Sequence, residues 1–179
     1  MNDLKHNSSS RLLWVDLEMT GLDVKKDRII EVAAIVTDFE FKEIATYESV
    51  IYQNPKVIAS MNDWSKEHHK ASGLTAKIND APKEERAKKE IISFIKHNFK
   101  EPAVLAGNSV HNDMRFIKEW WPIVEPLLHY RMLDVSAFKI VMQNKYHIIY
   151  NKKETHRALE DIRESITELK FYLSYFKKK

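Results

Sequence analysis

Cysteine is absent from the 179-residue chain. Disulfides, thiolate metal sites and cysteine nucleophiles are thereby excluded, and a reducing cytoplasm, the expected location, is compatible with the lack. Glycine and proline are scarce, at 3 and 5 residues. No Gly/Pro/Ser linker, internal repeat or composition break divides the chain, so one domain over residues 11–179 is expected. No apolar run approaches the ~20 residues needed to span a bilayer. Excess charge of one sign is also small. The formal net charge of +3 is a mild bias toward polyanions and proves no partner. Residues 1–10 are polar without an apolar core, so a flexible tail is expected there rather than a signal peptide. With 44% hydrophobic and 31% charged residues, the composition is that of a globular protein and excludes general disorder.

The hydrophobic pattern changes period along the chain. Apolar, β-branched segments at residues 12–17, 28–37 and 43–52 are separated by short connections, which favours an antiparallel meander. A polar loop carrying Trp64, His68 and His69 is expected next. Over residues 84–99, Ala87, Ile91, Phe94, Ile95 and Phe99 fall on one helical face. A short buried strand at 103–106 precedes helices at 112–121, stopped by Pro122, and at 135–142, capped by Asp134. Residues 145–153 read as a basic loop, and a last helix over about 155–176 carries the stripe Leu159, Ile162, Ile166, Leu169, Tyr172 and Leu173. This order predicts an α/β domain with a mixed sheet and helices on its faces.

Asp16 and Glu18 end the first strand. Side chains alternate along a strand, so both point to the face of Leu12 and Trp14, with Cα atoms ~6.6 Å apart. An apolar face that turns acidic implies a cost in desolvation unless the acids are paired or bind metal. Such a pair can share one divalent ion or bridge two, although acid-x-acid spacing arises by chance at several places in a chain this acidic. Asp113, at the start of a helix, would alone pass for an acid stabilised by the helix dipole. His156 and Asp161 are five residues apart, ~500° on an ideal helix, and cooperate only if His156 sits at the helix mouth. His129 and Asp134 share that spacing, but Asp134 already serves as a cap.

The conjunction is more specific than its parts. Asp16-Leu17-Glu18-Met19-Thr20-Gly21, then Gly107-Asn108-Ser109 with Asp113, then His156-Arg157-Ala158-Leu159-Glu160-Asp161 occur in the order of the DEDD exonuclease superfamily, in its histidine-bearing branch. The chain resembles the oligoribonuclease family more closely. That resemblance rests on residues 13–22, Asp27-Arg28-Ile29-Ile30-Glu31, His129-Tyr130-Arg131, Leu133-Asp134-Val135-Ser136 and Glu160-Asp161-Ile162-Arg163-Glu164-Ser165, and it covers nearly everything after Ser10.

The resemblance implies a ribonuclease H-like fold, a mixed five-stranded sheet flanked by helices. It implies 3′→5′ hydrolysis of very short single-stranded RNA to 5′-mononucleotides, with dinucleotides preferred. It implies that Asp16, Glu18, Asp113 and Asp161 hold two Mg²⁺ or Mn²⁺ ions, with Asp113 acting partly through water. His156 would take the proton from the attacking water. Leu22 and Trp64 would bracket a base. His69, Ser109 and Ser136 would meet the 5′ phosphate. Tyr130, expected to act beside His156 in catalysis, and Arg131 would reach the same phosphate from the other protomer of a homodimer. Asn112 stands where family members often carry glutamine. A proofreading or tRNA-trimming exonuclease shares the acids and the histidine but not Tyr130-Arg131. A non-catalytic RNA-binding module would have no need to keep them all.

Overall fold

The computed structural model describes residues 11–151 and 157–176. The proposed tail at 1–10 and His156 therefore lie outside the described residues. The chain begins with three antiparallel strands, β1 (Arg11–Met19), β2 (Ile29–Asp38) and β3 (Glu43–Val50). Short helices α1 (Pro55–Ala59), α2 (Asp63–Ala71) and α3 (Leu74–Ile78) precede the long α4 (Glu84–Asn98). Then come β4 (Ala103–Gly107), α5 (His111–Trp120), a 3₁₀ turn (Glu125–Leu127), β5 (Leu128–Asp134), α6 (Val135–Tyr146) and α7 (Ala158–Leu173).

The strands form one five-stranded sheet in the order β3-β2-β1-β4-β5. β1 pairs antiparallel with β2 and parallel with β4, and β5 runs parallel to β4 at the edge. The mixed α/β sheet expected from the sequence is present. Both faces of β1 are apolar because helices cover both sides of the sheet. Leu13, Val15 and Leu17 pack with Ala87, Ile91 and Ile95 of α4 and Phe116 and Ile117 of α5. On the other face, Leu12 and Trp14 pack with Val135 and Met142 of α6 and Ile162, Ile166, Leu169 and Tyr172 of α7. Trp14 keeps its buried indole N–H satisfied by donating to Thr37 Oγ1 at 3.0 Å. Close contact of β1 and β4 depends on Gly107, where a Cβ would lie 3.0 Å from the Val15 carbonyl oxygen and 3.1 Å from the Val110 side chain.

Three expectations need correction. The polar loop is α1 to α3. α1 buries no residue, and the anchors of the other two are a pair each, Leu74 and Ile78 for α3 and Ser65 and His69 for α2, too few or too polar to show a helical period. The segment expected as a basic loop begins inside α6, which continues to Tyr146 before His147 takes a left-handed conformation at φ 58°. β5 was not visible as a strand because its middle, Tyr130, Arg131 and Met132, is exposed and does not alternate. The Asp134 cap is as expected, its side chain accepting the Ser136 N–H at 3.0 Å.

Candidate active site

The site lies where β1 runs past the end of β4. Beyond the last β1–β4 partners, Trp14 and Ala106, the N–H of Leu17 donates to Asp113 Oδ1 at 3.0 Å. That bond seats the first turn of α5 against β1. The pairing of β1 with β2 is irregular at the same place, between Glu18 and Met19. Such irregularities recur beside active sites because they re-aim side chains.

Asp16 and Glu18 project from one face of β1, as their spacing predicts. Asp161, in the first turn of α7, comes to meet them, its N–H bonded to the Arg157 carbonyl at 2.9 Å. One carboxylate oxygen from each of Asp16, Glu18 and Asp161 lies within 4.8 Å of the other two. Asp113 is buried and its carboxylate is not part of that three-acid group. Burial, then the charges of Asp16, Glu31 and Asp161, push the Glu18 carboxyl up to about 8, with Arg157 opposing. The Asp113 carboxyl is raised well above its ordinary value by burial and by Asp16, against the hydrogen bond from Leu17. Carboxylates this crowded repel one another, and their oxygen-only chemistry fits a hard divalent cation.

Glu31 is a further acid of the site, present in the sequence only as part of a motif. It is buried at 2% exposure and faces Glu18 across the β1–β2 pair. The Arg157 guanidinium donates to its Oε1 at 2.7 Å. A glutamate inside the apolar run Ile29–Asp38 was the available signal.

The remaining candidates fall into three places. A cleft of about 550 Å³ beside Glu18 is lined by Leu22, Trp64 and His69 among others. Leu22 and Trp64 are 71% and 62% exposed, unusual for large apolar residues lining one cleft. His69 is buried, its Nε2–H donating to the Met19 carbonyl at 2.8 Å and its Nδ1 3.8 Å from Glu18 Oε2. Ser109 and Ser136 meet at Oγ–Oγ 3.4 Å, both backbone N–H groups donating to Asp134 Oδ1 at 2.9 and 3.0 Å. Ser109 holds φ 54°, a left-handed conformation rare for a residue with a Cβ. Tyr130, 72% exposed, and Arg131 lie on the edge strand β5, the guanidinium 5.0 Å from the Tyr130 ring.

The family model RNase_T, described as "Exonuclease", matches residues 13–169. The chain is similar to E. coli exonuclease I in its zinc-bound complex with ssDNA, with TM-score 0.69 and 16% identity over 94% of this chain and 41% of that one. Apo exonuclease I gives TM-score 0.71 at 15% identity, over 92% of this chain and 42% of that one. The chain thus spans about two fifths of exonuclease I, and these likenesses establish the ribonuclease H-like fold. Fold and family model together define an exonuclease, a hydrolytic nuclease.

Closer relatives narrow the class. An oligoribonuclease of Francisella tularensis subsp. tularensis is 44% identical over 171 residues, 92% of this chain and 95% of that protein. The mitochondrial oligoribonuclease of Bos taurus is 42% identical over 180 residues, 96% of this chain and 76% of that protein. The chain belongs to the oligoribonuclease family, and as a member it is a 3′→5′ exoribonuclease of short oligoribonucleotides.

Proposed function

We propose that the chain releases 5′-mononucleotides from very short RNA in the cytoplasm, dinucleotides before longer strands, using two Mg²⁺ or Mn²⁺ ions held by Asp16, Glu18 and Asp161 together with Asp113. The observation that carries this reading is the meeting of three carboxylates within 4.8 Å. When bound, the ions supply Lewis acidity at the scissile phosphodiester. His156, next to Arg157 in the sequence, takes the proton from the attacking water. The ordinary imidazole pKa of ~6.5 suits a base working near neutrality.

The other side chains hold the substrate. Leu22 and Trp64 bracket a base by apolar packing and stacking, which tolerates any base. Ser109, Ser136 and His69 contact the 5′ phosphate. Asp134 fixes both serines through their backbone N–H groups and also accepts the Ser136 hydroxyl, with the Ser109 hydroxyl turned toward Ser136 Oγ. Tyr130 and Arg131 complete the pocket from a second protomer, with Tyr130 acting beside His156. Strand spacing supports a contribution in trans: Tyr130 is four residues from Asp134 on β5, about 13 Å along the strand from the residue that holds the two serines.

A pocket closed over the 5′ phosphate leaves no exit for a longer chain, which gives preference for dinucleotides. The test is product analysis on a length series of 5′-labelled RNAs with and without Mg²⁺. The dinucleotide should be cut fastest, and only with the ion. Equal rates on a dinucleotide and a long single strand would overturn the length selection, and turnover in excess chelator would overturn the metal reading.

A further inference from the structure

Glu31 has an unfavourable neighbour. Its register partner on β1 is Glu18, and like charges opposed across an antiparallel pair destabilise it. The carboxylate of Glu31 is engaged by the start of α7. Oε1 accepts from Arg157 Nη2 at 2.7 Å and from Arg157 Nε at 3.2 Å. Oε2 lies 3.4 Å from the Ala158 backbone N–H, the first residue of the helix. A carboxylate there also answers the positive end of the helix dipole. From the same residue the next link follows, because the Arg157 carbonyl accepts the Asp161 N–H at 2.9 Å. Hydrogen bonds at both ends of Arg157, its guanidinium and its carbonyl, therefore link a buried glutamate on β2 to Asp161, one helical turn beyond Arg157.

We propose that Glu31 is a positioning residue: clamped to Arg157 and Ala158, it sets the rotation and depth of the first turn of α7 and so brings the Asp161 carboxylate to Asp16 and Glu18. The inference rests on the reading of those three acids as cation ligands. Glu31 itself is occupied by Arg157 and is not a ligand. Without the clamp, α7 keeps its packing through Ile162, Ile166, Leu169 and Tyr172, so the helix stays but its first turn loosens. Groups that orient ligands in this way are worth about 10–100-fold in metal affinity or activity when altered.

The test compares the full-length chain with Glu31→Gln, Arg157→Lys and the double variant Glu31→Gln/Arg157→Gln. Glutamine keeps the reach of Glu31 and loses the charge, and lysine keeps the charge of Arg157 and loses the two-pronged contact. Calorimetric titration of the metal-free protein with Mn²⁺ gives a readout independent of turnover. Glu31→Gln should bind Mn²⁺ about 10–100-fold more weakly. It should lose kcat on an RNA dinucleotide while KM stays within about threefold, since the cleft that holds the base is untouched. The double variant should be no worse than Glu31→Gln, because one contact is lost in either case. Glu31→Gln with unaltered Mn²⁺ affinity and kcat would overturn the proposal. Should Glu31→Gln fail to fold, Arg157→Lys, altered at the more exposed partner, is read by the same two outcomes. An unaltered chain that takes up no Mn²⁺ overturns the ligand assignment itself, a result distinct from uptake that Glu31→Gln leaves unchanged.

Discussion

Asp113 Oδ1 accepts the backbone N–H of Leu17 at 3.0 Å, across 96 residues of sequence. Leu17 stands between Asp16 and Glu18, so this bond fixes the strand segment that presents both acids. It also gives Asp113 two separable roles. Its oxygen satisfies a buried donor, and its carboxyl feels the charges of Asp16 and Glu18.

Substitution separates those roles. Asp113→Asn keeps an acceptor for Leu17 and removes a raised, crowded carboxyl, so in chelator near pH 8 it should be at least as stable as the unaltered chain. Asp113→Ala orphans the Leu17 N–H and should be less stable than Asp113→Asn by about 1–3 kcal/mol. Urea unfolding of both variants measures the difference. Equal stabilities would show that the hydrogen bond contributes nothing, and full activity in Asp113→Asn would remove its charge from catalysis.

Glu18 gives the protein a pH dependence of known sign. Its carboxyl is raised to about 8 in the folded chain, against ~4.3 for an unperturbed glutamate. Below pH 4 folded and unfolded states are both protonated at this group, and it imposes no penalty. As pH rises toward 8 the unfolded chain gives up the proton first, so stability falls, and the loss is complete above the folded pKa. In EDTA, Tm should therefore fall between pH 5 and 8 more steeply than in the variant Glu18→Gln. Excess Mg²⁺ should flatten the curve by favouring the ionised form. A Tm in EDTA with the same pH slope in both proteins would contradict the assigned shift.

Much of the site was legible because its residues break the local pattern. Asp16 and Glu18 interrupt an apolar strand face, and two-residue periodicity is enough to put them side by side. Their meeting with Asp161 was not available from periodicity, since it depends on how α7 crosses the sheet. The motif order carried that relation instead. Glu31 broke the pattern of β2 just as visibly, yet its role is read only from Arg157, 126 residues away. α2 was missed because the residues it buries, Ser65 and His69, are polar, and His69 makes its contact to the Met19 carbonyl rather than to an apolar stripe. β5 was hidden by exposure. An edge strand paired on one side need not alternate, and Tyr130 and Met132 on its open stretch carry no signature of a buried face.

That open edge makes a shared site testable by mixing. If Arg131 serves the neighbouring protomer, Arg131→Ala and Asp16→Asn should each be nearly inactive alone. Mixed in equal amounts and allowed to exchange subunits, half the dimers pair one of each, and each such dimer has one complete site. Dinucleotide hydrolysis should return to about a quarter of the unaltered rate. Failure of a verified mixed dimer to regain activity would place Arg131 in the site of its own chain, or outside any site.

Anomalous diffraction from crystals soaked in Mn²⁺ probes the acid cluster most directly. Two manganese peaks are expected among the carboxylates of Asp16, Glu18, Asp161 and Asp113, and both should vanish in Asp16→Asn crystals treated alike. Crystals that hold manganese elsewhere and none between these side chains would contradict the assignment of the site.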